Sequence, residues 1–154
     1  MRNIVEQNAA AFSKVAAEYT EDYLEGAEKY LIEHFFKGKK VLVLGCGGGR
    51  LLPPLVERGF EVTGIDIVPE MVALAQEKMR TRNLPATIIH MDAAHLTFSD
   101  NSFDVVFFPF NGIGYVHPDI YAAVREARRV MKPDGVFVFS AHNRLSLQNL
   151  HRFF

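Results

Sequence analysis

The chain has 154 residues, a length that suits one domain built around one hydrophobic core. Hydrophobic residues make up 49% and charged residues 23%, which is the composition of an ordinary globular protein. The net charge of −1 creates no field that favours nucleic acid or an anionic membrane. The first residues lack the apolar segment of a signal peptide, and no apolar run reaches the roughly 18 residues of a membrane span. A single cysteine, Cys46, excludes an internal disulfide, so we expect a reducing compartment and therefore a cytoplasmic protein.

Residues 3 to 36 are predicted to form two helices ahead of the first strand. Thr20 is a suitable N-cap for the second helix, in which apolar side chains recur at helical spacing from Tyr23 to Phe35. Such a stripe is usually part of a core, so packing against a sheet is the expected role. A cover over a ligand pocket is the alternative.

The stretch from Val41 to Arg50 joins four apolar residues directly to a glycine-rich loop. The apolar run has no polar alternation, which predicts a strand buried on both faces of a parallel sheet. Gly45, Gly47 and Gly49 allow a sharp turn and a close ligand, and the helix start behind them supplies unpaired N–H groups. Arg50 stands where the dinucleotide fingerprint requires its third glycine, so that fingerprint is not met. We favour a nucleotide-like ligand here, and a glycine turn without a ligand is the alternative.

A strand–helix–strand unit is completed by a helix from Leu52 to Gly59 and a second strand from Glu61 to Asp66. Asp66 lies 21 residues after Gly45, close to the offset at which an acidic residue binds a ribose in such units. Its carboxylate is able to accept a hydrogen bond from each ribose hydroxyl. A helix-capping or surface acid is the alternative. Pro69 then opens the next helix at its first position.

Three more strands are predicted: Ala86 to Met91, Phe103 to Phe108 and Val136 to Ser140. Asp92 follows the first of them directly, where an Asp also commonly caps a loop through its own backbone. A helical stripe begins at Ile120, and Lys132 to Gly135 predicts a turn before the last strand. The basic residues of this helix are expected on a solvated outer face; they are Arg125, Arg128, Arg129 and Lys132.

The loop after the fourth strand carries the polar groups best placed to meet a substrate. They are Asn111, Tyr115 and His117, at the point where an open α/β sheet reverses its winding and ligands bind in the crevice. Turn chemistry is the alternative, because Asn-Gly is a favoured turn pair. None of the six histidines has another ligand at a recognised metal-binding spacing, so no metal site is predicted.

The order of these motifs resembles the class I S-adenosylmethionine-dependent methyltransferases over residues 38 to 142. The resemblance rests on Gly45-x-Gly47-x-Gly49, on the acids after strands two and three, on Phe-Asp at the start of strand four, and on Arg-Val-Met-Lys-Pro-Asp-Gly before strand five. It implies a Rossmann-like three-layer α/β/α sandwich with a mainly parallel sheet. It also divides the chain into N-terminal helices covering the cofactor site, residues 1–37, and the methyltransferase core, residues 38–154.

The resemblance implies S-adenosylmethionine as cofactor and methyl transfer to an unidentified acceptor. In this family the glycine loop, here with Cys46 as a small spacer, wraps the methionine and ribose, and Asp66 binds the ribose. Asp92 is expected at the adenine amino group, with the Ala93 N–H at the ring. The remaining cofactor-site residues that the resemblance implies are Tyr19, Ile67, Met71 and Phe108. No catalytic residue is assigned, because a sulfonium methyl group needs no dedicated base when the nucleophile is neutral or already deprotonated.

Two features depart from the family pattern. Val43 occupies the place of an acid that usually helps to hold the cofactor's amino group. The residues after Ser140 leave no room for strands six and seven, so we expect a fold truncated after strand five whose edge strand is open to self-association. Two alternative functions remain: a non-catalytic module that binds the cofactor, and an NAD(P)-dependent oxidoreductase.

Overall fold

The computed structural model describes residues 10–11, 24–116 and 120–141. The helices from residue 24 onward are α1 (Gly26–Phe35), α2 (Leu52–Glu57), α3 (Pro69–Thr81) and α4 (Ile120–Val130), with a short 3-10 helix at Gly112–Tyr115. The strands are β1 (Lys40–Leu44), β2 (Glu61–Asp66), β3 (Ala86–His90), β4 (Phe103–Phe108) and β5 (Met131–Phe139). None of the helices in the described ranges is long and apolar enough to cross a bilayer.

The strands form one sheet in the order β3-β2-β1-β4-β5, and every neighbouring pair is parallel. β1 lies at the centre, and its residues Val41 to Leu44 are each 0% exposed, as the uninterrupted apolar run predicts. Val41 and Val43 pack into a cluster with α2 and α3, while Leu42 and Leu44 pack into a second cluster with α4. The predicted three-layer α/β/α sandwich is therefore confirmed.

The strand order places the carboxyl ends of β1, β2 and β4 side by side. The winding direction reverses between β1 and β4, because β2 and β3 lie on one side of β1 and β4 and β5 on the other. The glycine loop follows β1, Asp66 is the last residue of β2, and a further loop follows β4, so all three lie at one edge of the sheet.

Helix α1 begins later than the sequence predicts. Leu24 and Glu25 are not helical, so a helix running from Thr20 is wrong for these residues. Glu25 is the N-cap, and its backbone N–H donates to Glu28 Oε2 over 2.9 Å. This bond is one half of a capping box, so Glu25 takes the N-cap position that the sequence predicted for Thr20. Residues 12–23, 117–119 and 142–154 lie outside the described residues.

The predicted turn at Lys132 to Gly135 is instead an irregular part of β5. Phe103 pairs with Met131 and Val105 with Val136, so two steps along β4 correspond to five along β5. A bulge of this kind takes up the extra residues while the strand stays paired. The Lys132 ammonium reaches back to Asp104 on β4, 2.6 Å away.

Arg129 also differs from the prediction of a solvated basic face. Its guanidinium donates to the carboxylates of Glu126 and Asp100 and to the carbonyl oxygens of Leu96 and Phe98. It therefore fastens the loop between β3 and β4 to α4. Arg125 and Arg128 are exposed, as predicted.

β5 forms one edge of the sheet, and none of the other described strands pairs with its outer side. Residues 142–154 lie outside the described residues. Self-association through this edge stays a prediction.

Candidate functional site

The loop after β1 depends on its glycines for both backbone shape and space. Gly45, Gly47 and Gly49 have φ values of 62°, 53° and 84°, in the left-handed region that side chains disfavour. A Cβ at Gly49 would lie 3.1 Å from the Ala75 Cβ, so this glycine lets α3 approach the loop. A Cβ at Gly47 would meet nothing within 4 Å. The Gly47 backbone therefore borders open space that a ligand is able to enter.

Asp66 joins this loop to the start of α3. Its Oδ2 accepts the Gly47 N–H at 2.8 Å, and its Oδ1 accepts the Val68 N–H at 2.9 Å. The residue is only 8% exposed, and burial raises the pKa of its carboxyl, an effect that backbone hydrogen bonds from Val68, Gly47 and Ile67 partly offset. A carboxylate has about four acceptor positions, so capacity remains for the hydroxyls of a ligand.

Cys46 is buried inside the loop. Its N–H donates to the Ile65 carbonyl oxygen on β2 at 2.8 Å, and a Cβ at Gly64 would lie 3.1 Å from its Sγ. Burial, followed by the nearby charge of Asp66, raises the pKa of the thiol well above its usual range. A neutral, enclosed thiol is a poor nucleophile, which agrees with the predicted role of a small spacer.

Four other predicted cofactor-site residues lie in the same region. Met71, Ala93 and Phe108 are 2%, 8% and 3% exposed, and the Phe108 ring lies under Gly45, where a Cβ would be 3.1 Å from Cε2. The Ile67 carbonyl oxygen is 3.0 Å from His90 Nε2. Of these three buried side chains, Phe108 contacts the glycine loop, and contact of any of them with a cofactor stays a prediction. Tyr19 lies outside the described residues.

Asp92 makes the loop-capping contacts of the alternative interpretation. Its Oδ1 accepts the Ala94 N–H at 2.9 Å, and its Oδ2 is 3.2 Å from His95 Nδ1. This is the local turn that Asp side chains favour. The adenine contact stays a prediction for a carboxylate that already has this structural role.

The loop after β4 contains the hydrogen bonds of a turn and two residues with left-handed backbone angles. Phe110 and Asn111 both lie in the left-handed region, with φ of 55° and 58°. The Asn111 N–H donates to Ser140 Oγ at 2.7 Å, and its carbonyl oxygen accepts the Gly114 N–H at 2.9 Å. Two adjacent non-glycine residues in this conformation store strain, a property common at binding sites. Tyr115 is 43% exposed, and His117 lies outside the described residues.

An ion pair that the sequence did not predict joins the glycine loop to α1. Arg50 Nη2 and Nη1 donate to Glu28 Oε1 and Oε2 at 2.6 and 2.8 Å, and the two side chains are only 13% and 10% exposed. The Arg50 guanidinium also lies 5.4 Å from the centre of the Phe110 ring. One side chain thus connects the glycine loop, α1 and the loop after β4. The signal in the sequence was Arg50 itself, a charged residue at the end of a glycine loop.

A cleft of about 250 Å³ lies beside this ion pair. Helix α1 forms one wall through Glu28 and Leu31, and the ends of β4 and β5 form the other through Phe107 and Phe139. Asn111 and Ser140 also line it. The cleft therefore opens at the same edge of the sheet as the glycine loop.

Position 43 carries no acidic group. Val43 is 0% exposed and pairs with Gly64 of β2 and Phe107 of β4 in the sheet register. Its isopropyl group belongs to the core. Among the described residues, no group of three or more His, Cys, Asp or Glu side chains is arranged to hold a metal ion.

These features define an α/β protein of the Rossmann-like type with a glycine-rich loop at the carboxyl edge of its parallel sheet. Residues 41–135 match the model of the methyltransferase domain family, and the chain belongs to that family. It is 40% identical over 105 residues to a demethylmenaquinone methyltransferase of Staphylococcus aureus, an alignment that spans 66% of this chain and 42% of the relative. The chain thus spans less than half the length of that relative.

Two solved structures share both fold and sequence similarity. The PH0226 protein from Pyrococcus horikoshii is 35% identical with a TM-score of 0.71, over 82% of this chain and 55% of its own. A SAM-dependent methyltransferase from Aquifex aeolicus is 27% identical with a TM-score of 0.67, over 87% of this chain and 71% of its own. Both support the fold class that the sequence predicted.

Proposed function

We propose that this chain binds S-adenosylmethionine and transfers its methyl group to an acceptor molecule. One observation carries most of the argument: the buried Asp66 carboxylate bonds the backbone of Gly47, the glycine that borders open space. This arrangement places a carboxylate with spare acceptor capacity beside a surface of bare backbone. The hydroxyls of a ribose need a hydrogen-bond acceptor, and the methionine part attached to the ribose needs a surface free of side chains.

The residues of the site fit this cofactor in size and chemistry. The left-handed glycines keep Cβ atoms out of the path of the methionine and ribose. Asp66 is expected to accept hydrogen bonds from the ribose hydroxyls, and the buried Met71, Ala93 and Phe108 are expected to supply apolar contacts. Val43 supplies no charge, so the amino group of the cofactor must find its partner elsewhere.

When bound, the cofactor supplies a methyl group made electrophilic by its sulfonium. The chain's own part is to hold the acceptor in line with that methyl group and to keep water away. The Glu28–Arg50 pair contributes to this by fixing α1 and Phe110 beside the loop. We assign no base.

Calorimetry with the 154-residue chain tests the proposal directly. S-adenosylmethionine and S-adenosylhomocysteine are expected to bind, and NAD and NADP are not. Binding of the nicotinamide cofactors instead would establish the oxidoreductase alternative. A methyl-transfer screen with isotopically labelled cofactor then separates an enzyme from a module that only binds, since a module would give no labelled product.

The acceptor named for the Staphylococcus aureus relative is demethylmenaquinone. Because this chain spans 42% of that relative, demethylmenaquinone is one compound to include in the screen and is not assigned as the acceptor. A cytoplasmic location also belongs to this proposal. It is supported by the buried free thiol of Cys46, which a reducing compartment would preserve.

A further inference from the structure

The cleft beside the Glu28–Arg50 pair has an apolar mouth. Phe110 and Phe139 line it and are 50% and 52% exposed, and Leu31 contributes a further apolar side chain from α1. Large aromatic side chains left half exposed along one wall of a cleft are typical of a surface that an apolar ligand covers. The cleft's volume of about 250 Å³ suits a small molecule with one or two rings.

The charges around the cleft select against an anion. Glu25 and Glu28 line it, and no Lys or Arg is among the described residues that do so. Arg50 pairs with Glu28, and Glu25, the N-cap of α1, is the other acidic residue among the described residues that line the cleft. A neutral or positively charged ligand is therefore favoured over a carboxylate or a phosphate.

Glu28 has acceptor capacity left for a ligand. Its Oε2 accepts both the Glu25 N–H at 2.9 Å and Arg50 Nη1 at 2.8 Å, while Oε1 accepts Arg50 Nη2 at 2.6 Å. With about two acceptor positions on each oxygen, one position on Oε1 remains. The two parallel bonds from Arg50 fix the plane of the carboxylate, so this position has a defined direction.

We propose that the cleft binds the methyl acceptor, and that the acceptor has a flat apolar body and a neutral or cationic hydrogen-bond donor that meets Glu28. This inference rests on the methyltransferase function proposed above and names the chemical class of its second substrate. Glu28 determines specificity by direct contact, and Arg50 is a positioning residue that acts through Glu28.

Three probes with the same phenyl ring and different head groups test the chemistry. They are 2-phenylethylamine, 2-phenylethanol and 3-phenylpropionate, titrated into the full ¹⁵N-labelled chain with and without S-adenosylhomocysteine. We expect the amine and the alcohol to bind at least tenfold more tightly than the carboxylate. Their amide shifts should centre on α1, Phe110 and Ser140.

Three variants separate the role of Glu28 from that of the cleft's shape. Glu28→Gln should reduce the preference for the amine over the carboxylate to less than threefold. Glu33→Gln, at an exposed position on the same helix, should leave the preference unchanged. Phe139→Ser should weaken all three probes by a similar factor, and it remains informative if Glu28→Gln does not fold.

Equal binding of the three probes, tighter binding of the carboxylate, or shifts that centre elsewhere would overturn the inference. Absence of probe binding would also overturn it. If S-adenosylhomocysteine binds in those samples, the proposed function survives that failure. If the probes bind the cleft as expected and S-adenosylhomocysteine does not bind, the proposed function fails while a small-molecule site remains.

Discussion

Two carboxylates at opposite ends of the sheet each accept two backbone N–H groups, but their pKa values shift in opposite directions. Asp104, near the start of β4, accepts the N–H groups of Lys39 and Lys40 through one oxygen and the Lys132 ammonium through the other. Asp66, at the end of β2, accepts the N–H groups of Gly47 and Val68, and no described Lys or Arg forms an ion pair with it.

The pKa values follow these environments. Partial burial raises the pKa of Asp104, but the hydrogen bonds from Lys132, Lys40 and Lys39 outweigh it and lower the pKa to about 2. Burial dominates at Asp66 and raises its pKa. The amino end of the sheet thus pairs its acid with a cation and gains stability. The acid at the carboxyl end is held by backbone N–H groups and pairs with no described Lys or Arg, as is common at recognition sites.

The largest effect on stability is expected at the carboxyl end, where Arg50→Met leaves the buried Glu28 carboxylate without its partner. Breaking a buried ion pair in this way costs roughly 3–5 kcal/mol in free energy of unfolding, measurable by urea denaturation. Arg80→Met is the matched control, because the Glu77–Arg80 pair is exposed and exposed pairs contribute little to stability. Equal losses in the two variants would show that the burial of the Glu28–Arg50 pair has no energetic importance.

Asp66→Ala should weaken binding of S-adenosylhomocysteine by roughly 1.5–3 kcal/mol, the usual contribution of hydrogen bonds to a charged group. Asp104→Ala should lower stability and leave the affinity unchanged, since Asp104 lies at the other end of the sheet. Calorimetry at a temperature where both variants are folded makes the comparison. An unchanged affinity in folded Asp66→Ala would remove the basis of the cofactor assignment.

Acid titration should separate the stability roles of the two ends. The pKa of Asp104 in the folded chain is about 2, below the roughly 3.9 of an unfolded Asp. Its contribution is therefore fully present above about pH 4 and is lost as the pH falls towards 2, amounting to about 2 kcal/mol. Asp104→Asn should lack this contribution and show a flatter dependence of unfolding free energy on pH between 4 and 2. Asp134→Asn, at an exposed position, should retain the slope, and parallel curves for Asp104→Asn and the native chain would contradict the assignment.

The smallest effects come from a pair of glycines with the same backbone requirement. Gly47 and Gly59 have φ of 53° and 87°, and an added Cβ at either meets nothing within 4 Å. Alanine at each position should therefore cost about 1–2 kcal/mol of stability through backbone strain alone. Only Gly47→Ala should also weaken binding of S-adenosylhomocysteine, since Gly59 lies at the amino end of β2. Equal affinities in the two variants would mean that the Gly47 backbone does not face the ligand.

The parts of the molecule that the sequence predicted depend on contiguous residues. The run Val41 to Leu44 specifies a buried strand by itself, and the left-handed glycines follow from the sharp turn behind it. The position of Asp66 then follows from the near-constant length of a strand–helix–strand unit. For this reason the sheet, the loop and its acid were all predicted correctly in position.

The parts that were missed depend on contacts between distant segments. Glu28 and Arg50 are 22 residues apart, and nothing in either local sequence states how α1 crosses the glycine loop. The Lys132 to Gly135 segment has the composition of a turn, but pairing with β4 and the contact of Lys132 with Asp104 keep it in the strand. Local chemistry and tertiary pairing favoured different structures there, and the pairing prevailed.

The buried thiol of Cys46 gives the glycine loop an internal reporter. It is the only cysteine in the chain, it is 8% exposed, and its raised pKa keeps it protonated, so an alkylating reagent reacts only when the loop opens locally. The rate of alkylation in the native chain therefore measures how often the loop opens, without any introduced label. A ligand that binds only the closed loop must slow that rate in proportion to its occupancy, so one reagent reports both local opening and affinity at a single residue.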